Sequence, residues 1–214
     1  MNYRKNSSGK ETIVTKFLRE RMVYESLFNR EVKFVDTYFL QMLGVDFFVP
    51  DRYIFVDEKA AVNYVNAEFR NLVGDYVNTA TNHRGWMADK ESLTTHIMQE
   101  FIITNDSRNN DFRLEDILAV DIMVIDFFKL KRYLDKIGWG IDAACLILRY
   151  MNQHNMSLMH NKRDKNVELR ISKGYREAPA FVRVKYDTLV NKIGARCFYV
   201  RCDGKISEGF YRRR

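Results

Sequence analysis

Two short apolar runs separated by four residues place the strongest constraint on how this chain can fold. Val45–Val49 and Ile54–Glu58 have the length and the Val, Ile and Phe content that are typical of strands. The residues between them begin with Pro50, and proline suits the first corner of a tight turn. The pattern therefore predicts a β-hairpin in which Val49 faces Ile54.

The register of this hairpin determines which side chains share a face. Side chains alternate along a strand, so Asp46, Asp57 and Lys59 fall on one face together with Phe48 and Phe55. The other face is entirely apolar and consists of Val45, Phe47, Val49, Ile54 and Val56.

Asp46 and Asp57 stand directly opposite each other in this register. Two carboxylates in that position repel unless a cation lies between them. The spacing therefore predicts a divalent metal ion held by Asp46 and Asp57, with the Lys59 ammonium beside it. A solvated hairpin edge that carries three charges is the alternative.

The length and charge of the chain favour one domain and a polyanionic partner. A chain of 214 residues with 46% hydrophobic residues can bury a sizeable core, and we expect a single domain over residues 1–214. Its 35 basic and 28 acidic residues give a net charge of +7, which favours nucleic acid. We expect a basic C-terminal extension, residues 161–214, to contact nucleic acid through Lys162, Arg163, Lys165, Arg170 and Lys173.

Several classes of protein are disfavoured by the sequence. No apolar run reaches the roughly 18 residues that a membrane span requires, because Asp121 and Asp126 interrupt the most apolar segment. The first ten residues are polar and do not resemble a secretory signal. Three cysteines are too few for a disulfide framework. We therefore expect a cytoplasmic protein with no membrane partner.

The hydrophobic periodicity predicts a mixed α/β protein. Helical periodicity extends over residues 11–43, with an interruption near Asn29, and two further helices are expected around Leu130–Ile137 and Ile141–Met151. Besides the hairpin, the predicted strands are Leu72–Thr79, Thr94–Thr104, Ile117–Ile125, Val167–Ile171, Phe181–Lys185 and Arg196–Arg201, with a short helix over Asp187–Ile193.

The hairpin resembles the motif of the PD-(D/E)xK nuclease superfamily, over roughly residues 30–104. In this resemblance Asp46 is similar to the first acid of the motif, Asp57 to the second acid and Lys59 to the lysine. The chain departs from the pattern at Val45, where the motif name has proline, and at Asp57, which replaces the commoner glutamate.

The resemblance implies a restriction-endonuclease-like core, a central mixed sheet flanked by helices. It also implies that the backbone carbonyl of Glu58 contributes to a Mg²⁺ or Mn²⁺ site. Asp36 and Gln41 resemble the helix residues that assist this site, and periodicity places Asp36 on an apolar stripe with Leu40. An acid on such a stripe needs a metal or a lysine as its partner, and exposure at the edge of the stripe is the alternative.

The function implied by the resemblance is a metal-dependent DNA endonuclease. Arg84 and Trp86 could add a cation and an aromatic ring beside a nucleic-acid groove, although a loop closed by a buried tryptophan is the alternative. A non-catalytic nucleic-acid-binding protein remains open as a second function, a basic interaction protein as a third, and assembly as a homodimer also remains open. No Gly-rich phosphate loop or His-Glu-x-x-His motif is present.

Overall fold

The computed structural model describes residues 3–79, 81, 83–105, 111–172 and 179–210, with side chains described from residue 9 onward. The described chain is mixed α/β and contains a seven-stranded and a four-stranded sheet. It divides into two compact units: the first covers residues 1–68, 94–125 and 195–214, and the second covers residues 69–93 and 126–194. The expectation of one domain over the whole chain stays a prediction.

The first unit is built on the seven-stranded sheet, with strand order β1-β2-β3-β5-β6-β10-β11. Its strands are β1 (Lys33–Phe34), β2 (Phe47–Val49), β3 (Ile54–Ala60), β5 (His96–Thr104), β6 (Ile117–Asp126), β10 (Arg196–Arg201) and β11 (Ile206–Glu208). β1, β2 and β3 pair antiparallel in succession, and β3 then pairs parallel with β5. The sheet is therefore mixed.

Two helices pack against one face of this sheet. They are α1 (Tyr3–Arg19) and α2 (Val23–Phe28). Phe17 and Tyr24, one from each helix, share a buried core with Phe47, Val56 and Met98 from three strands. Because α1 and α2 cover this face, a polar side chain that points from it toward the helices is removed from water.

The segment from residue 29 to residue 43 corrects the long helix that periodicity predicts. Asn29 ends α2 in the left-handed conformation, with φ of 50°, and the chain then becomes extended. Lys33 pairs with Phe48 and Phe34 pairs with Phe47 in β1, so tertiary pairing overrides helical periodicity here. Only a short helix follows, α3 (Tyr38–Met42).

The second unit contains the four-stranded sheet, with strand order β4-β9-β8-β7. Its elements are β4 (Leu72–Asn78), α4 (Phe127–Lys136), α5 (Ile141–Gln153), β7 (Leu158–His160), β8 (Val167–Ile171), β9 (Pro179–Val184) and α6 (Tyr186–Thr188), which continues as a π-helical turn over Leu189–Ile193. The predicted extended stretch after Leu72 is thus confirmed as a strand, but it pairs with β9 and not with the hairpin.

Most of the remaining predicted elements are confirmed. Strands occur at β5, β6, β8, β9 and β10, and helices occur at α4 and α5. The short strands β1, β7 and β11 were not predicted, since two or three residues carry too little periodicity to detect. None of the described helices combines the length and the apolar character that crossing a membrane requires.

Candidate active site

The β2–β3 hairpin has the register that its sequence predicts. Phe47 pairs with Val56 and Val49 pairs with Ile54, so four residues connect the two strands. Pro50–Arg52 form a single 3₁₀ turn at the start of this connection. The predicted hairpin and its register are therefore confirmed.

The alternation of side chains along the hairpin also follows the prediction. Phe47, Val49 and Val56 are buried in the core beneath the helices. On the other face, the rings of Phe48 and Phe55 stack with their centroids 6.2 Å apart. The apolar face anchors the hairpin, so the position of its polar face is fixed by packing.

Asp57 and Lys59 form an ion pair on β3. The Lys59 Nζ lies 2.6 Å from Asp57 Oδ1, and the Asp57 side chain is 5% exposed while that of Lys59 is 36% exposed. Burial, together with the neighbouring Asp46 carboxylate, raises the pKa of Asp57 to about 6, although Lys59 acts to lower it. Asp57 is therefore a carboxyl group that changes its charge close to neutral pH.

Asp46 is held beside this pair by three hydrogen bonds. Its Oδ2 accepts a hydrogen bond of 2.7 Å from the backbone N–H of Glu58. Its own N–H donates to the carbonyl of Val56, and its carbonyl accepts from the N–H of Val35, both at 2.9 Å. The Asp46 carboxyl also interacts directly with that of Asp57. The structure thus brings together the three residues that the sequence singled out.

Glu11 is a further acid near this group, and the sequence gave no signal for it. Burial by itself lowers the pKa of Lys59, but the carboxylates of Asp57, Asp46 and Glu11 outweigh burial and raise it. The pKa of Glu11 is raised by partial burial and by the carboxylates of Asp46 and Glu58, despite Lys59. Lys59 is therefore an ammonium surrounded by acids from three parts of the chain.

The side chain of Glu58 points to the opposite face of β3, toward the helices. Its Oε1 accepts a short hydrogen bond from the Tyr24 hydroxyl, and its Oε2 accepts one of 3.3 Å from the Thr15 hydroxyl. Burial and the charges of Glu100 and Glu58 raise the pKa of Tyr24, so its hydroxyl stays a donor. The metal-binding role expected for the Glu58 carbonyl stays a prediction.

Glu100 on β5 is the least expected group near the site. It has no exposed surface, and its carboxyl group lies against that of Glu58. Burial and the nearby acids Glu58, Asp46 and Glu11 raise its pKa well above the usual range. Its signal in the sequence is an acid that, together with Gln99, interrupts the apolar residues Ile97–Met98 and Phe101–Ile103.

A cavity of about 730 Å³ opens between α1 and the edge of the sheet, and we call it the α1 cavity. It is lined by Glu11, Thr12, Thr15, Lys16, Arg19, Glu20, Phe34, Val35, Gln41, Asp46, Glu58 and Ala60. Asp46 therefore lies both in the wall of this cavity and beside the Asp57–Lys59 pair. A ligand in the cavity would have direct access to the Asp46 carboxylate.

The donor chemistry of the site fits a hard divalent cation. Mg²⁺ is commonly bound by one or two carboxylates and keeps several waters, and Asp46 and Asp57 supply two carboxylates side by side. In the part of the chain that the structure describes, no three His, Cys, Asp or Glu side chains are already arranged to hold a metal ion. The residues therefore suit a partly hydrated ion and not a closed structural metal site.

Two residues expected to assist the site lie elsewhere than predicted or act differently. Asp36 is exposed in the connection between β1 and α3, so its predicted place on an apolar helical stripe is wrong. Gln41, in α3, is exposed, lines the α1 cavity and donates from Nε2 to the Val35 carbonyl at 3.3 Å. Gln41 thus remains near the site, whereas the metal-binding role expected of Asp36 stays a prediction.

The predicted nucleic-acid contacts that are described lie in the second unit. Lys162, Arg163 and Lys165 are exposed in the turn between β7 and β8. The buried Asp164 fixes this turn, because its Oδ2 accepts hydrogen bonds from Tyr133, Thr188 and Lys192 at 2.7, 2.7 and 3.0 Å. Three exposed cations therefore lie on this braced turn, and the Arg163 guanidinium also donates to the Lys136 carbonyl at 2.7 Å.

The other predicted contacts are less available for nucleic acid. Arg170 and Arg183 both pair with the buried Glu168, at 2.9 and 2.6 Å. Lys173 lies outside the described residues. Arg84 is exposed, whereas the ring of Trp86 is half-buried against Phe127, with centroids 5.9 Å apart.

Comparison with known proteins found no match at the level of a protein family, of a curated protein or of a solved structure. The function of the chain is therefore argued from its own residues.

Proposed function

We propose that this chain is a metal-dependent nuclease that hydrolyses phosphodiester bonds in DNA, with Asp46, Asp57 and Lys59 as its catalytic residues. The observation that carries the proposal is the meeting of these side chains. Lys59 lies 2.6 Å from Asp57, and Asp46 interacts with both. Two carboxylates and an ammonium at one point are suited to a metal ion and to a phosphate that gains negative charge.

The strand arrangement supports a restriction-endonuclease-like core over residues 30–104. β1, β2 and β3 form an antiparallel sheet, β5 adds parallel to β3, and α1 precedes them in the chain. The segment between β3 and β5 differs from the expected core. Its described residues, 61–79, 81 and 83–95, form β4 and a 3₁₀ turn but no α-helix.

Each residue has a distinct role in this proposal. A bound Mg²⁺ or Mn²⁺ would polarise the scissile phosphate and acidify a water. Asp46 keeps one carboxylate oxygen toward the Glu58 N–H and offers the other to the metal, together with Asp57. Lys59, whose ammonium form is favoured by the surrounding acids, offsets the negative charge of the phosphate.

Nicking of a supercoiled plasmid tests the proposal. We expect relaxation of the plasmid with Mg²⁺ or Mn²⁺, none in EDTA, and loss of activity in Asp57→Asn. Asp51→Asn is the matched control, because Asp51 is an exposed aspartate in the turn of the same hairpin, paired with Arg30 at 2.8 Å. A folded protein that never nicks DNA, or an active Asp57→Asn variant, contradicts the proposal.

A non-catalytic nucleic-acid-binding protein is the second candidate. The observation in its favour is that Lys59 already neutralises Asp57, and that the described residues contain no group of three metal ligands. A mobility shift on DNA that persists in Mg²⁺ and Mn²⁺ without cleavage would favour this candidate. Cleavage that depends on Asp57 would exclude it.

The proposal also includes DNA as the partner and a cytoplasmic location, and it leaves assembly as a homodimer open. The exposed cations Lys162, Arg163 and Lys165 support contact with a polyanion. Three cysteines are too few for a disulfide framework, which supports a reducing compartment. Light scattering would detect a dimer.

A further inference from the structure

The connection between β1 and β2 exposes an unusual number of large apolar side chains. Within the five residues of α3, Tyr38 is 76% exposed, Phe39 is 71% exposed and Met42 is 61% exposed. None of the residues of α3 is buried. Single exposed apolar residues are common, but three on one turn of helix indicate a contact surface.

This connection is attached directly to the candidate active site. Val35 begins it and Asp46 ends it, and the Val35 N–H donates to the Asp46 carbonyl at 2.9 Å. The Val45 N–H then donates to the Leu40 carbonyl at 3.1 Å, which ties α3 back to the strand that follows. The exposed side chains of α3 are therefore held within one short loop of the catalytic Asp46.

Cations from α1 lie in the wall of the same α1 cavity. Lys16 and Arg19 line it, and the acids Glu11, Glu20, Asp46 and Glu58 complete its charged lining, so a metal ion at Asp46 would strengthen the binding of a strand in the cavity. The Arg19 guanidinium lies 3.5 Å over the ring of Phe34, and Lys16 pairs with Glu20 across 3.8 Å at the surface, where such pairs are weak. Gln41 of α3 lines the same cavity, so the helix that carries the exposed rings borders it. Cations with aromatic rings nearby are the combination that single-stranded nucleic acids bind.

We propose that Tyr38 and Phe39 stack on unpaired bases of a DNA strand whose backbone enters the α1 cavity. The preferred substrate is then single-stranded, or carries a single-stranded end or flap, because the bases of a duplex are already stacked on one another. This inference rests on the proposed function for the cleavage step, but the binding step does not depend on cleavage.

A protein partner is disfavoured by the size of the surface. A typical stable protein interface uses roughly 20 to 30 residues on each side. α3 offers five residues, and three of them are the large apolar ones. Stacking on bases needs only one or two aromatic rings, which matches what α3 provides.

Fluorescence anisotropy in EDTA tests this inference without cleavage. The probes are a fluorescein-labelled oligothymidine of 20 nucleotides and a blunt duplex of 20 base pairs. We expect the single strand to bind more tightly, and the double variant Tyr38→Ser and Phe39→Ser to bind it at least tenfold less tightly, since each stacked base contributes roughly 5- to 150-fold. Duplex binding should change less than twofold.

Tyr53→Ser is the matched control. Tyr53 is 80% exposed, and it lies in the turn at the other end of β2 from Asp46. We expect this variant to bind both probes like the unaltered protein. Phe39→Trp should retain single-strand affinity, because tryptophan also stacks, and circular dichroism should confirm that every variant is folded.

Unchanged single-strand affinity in the double variant would overturn the inference, and so would an equal loss of affinity for both probes. A change in the oligomeric state of the double variant, measured by light scattering, would also overturn it, because α3 would then contact a second copy of the chain. These outcomes are separate from failure of the proposed function. A protein that binds single strands through α3 but never cleaves with Mg²⁺ would contradict only the nuclease. Cleavage with no role for α3 would contradict only the stacking.

Discussion

The Lys59 ammonium lies 2.6 Å from the carboxylate of the buried Asp57. Asp57 and Lys59 are two residues apart on β3. Asp46, which directly precedes the neighbouring strand β2, lies beside them. The pair neutralises charge in the absence of a metal ion, and it leaves an ammonium where the proposed mechanism requires a bound phosphate.

Lys59→Gln should abolish most of the nicking activity while leaving DNA binding intact. Loss of a group that stabilises transition-state charge typically lowers the rate by about 10²- to 10³-fold. Lys33→Gln, an exposed lysine on β1, is the control and should nick at the normal rate. A Lys59→Gln rate within threefold of the unaltered protein would remove Lys59 from the mechanism.

Metal affinity should rise with pH between 5 and 7. Asp57 has a pKa raised to about 6 by burial and by Asp46, so its carboxylate form increases as pH rises through that value. One group with this pKa is about tenfold more ionised at pH 7 than at pH 5. Titration of Mn²⁺ followed by electron paramagnetic resonance should show an affinity change of about that size, and Asp57→Asn should show a weaker dependence.

Glu100→Gln should stabilise the protein at neutral pH. Burial raises the pKa of Glu100 in the folded state, so folding favours the protonated form of its carboxyl group. The stability that this form contributes is lost as the pH rises from the pKa of Glu100 in the unfolded chain through its pKa in the folded protein. An amide carries no charge there, and it can donate a hydrogen bond. We expect a melting temperature about 3 °C or more higher at pH 8, where an ionised carboxyl group buried beside Glu58 destabilises the folded protein.

The control for this change is Glu31→Gln, an exposed position between α2 and β1, which should leave the melting temperature unchanged. The advantage of Glu100→Gln should shrink as the pH is lowered toward 4. A destabilised Glu100→Gln protein at pH 8 would mean that the carboxylate has a partner, and a lowered nicking rate in the stabilised variant would mean that its charge contributes to metal binding.

Asp164→Asn should destabilise the second unit. Burial acts to raise the pKa of Asp164, but hydrogen bonds from Tyr133, Thr188 and Lys192 outweigh it and lower the pKa to about 2. A carboxyl group whose pKa is lowered by folding contributes stability at a pH above its pKa in the unfolded chain. This contribution is lost as the pH falls toward its pKa in the folded protein. We expect a loss of about 2 kcal/mol in urea unfolding at pH 7, and a smaller loss at pH 3.

Asp187→Asn is a suitable comparison, since Asp187 is exposed in α6. Its unfolding free energy should match that of the unaltered protein at both values of pH. If Asp164→Asn lowers the free energy of unfolding by the same amount at pH 3 and at pH 7, the carboxylate charge does not support the turn.

The hairpin could be predicted from the sequence because its determinants are local. Alternation with period two, a proline at the first turn position and an apolar face together allow one register, and that register is the one observed. The meeting of Asp46, Asp57 and Lys59 then follows from the register alone. These residues are close in the chain, so no long-range packing had to be known.

The parts that the sequence did not predict depend on distant packing. Asp36 has helical spacing with its neighbours, but β1 forms two residues earlier because Phe34 pairs with Phe47. Glu11 and Glu100 reach the site from α1 and β5, and only the packing of α1 against the sheet brings them near Asp46. An acid in the middle of a mostly apolar strand is the signal that could have drawn attention to Glu100.

The hydrogen bond between Val35 and Asp46 closes the base of the loop that carries α3. Substitutions or length changes between these two residues would reshape the entrance while the aspartate stays fixed by its strand. Related chains could therefore differ in substrate preference through changes in this loop, while the proposed hydrolytic chemistry at Asp46 stays the same.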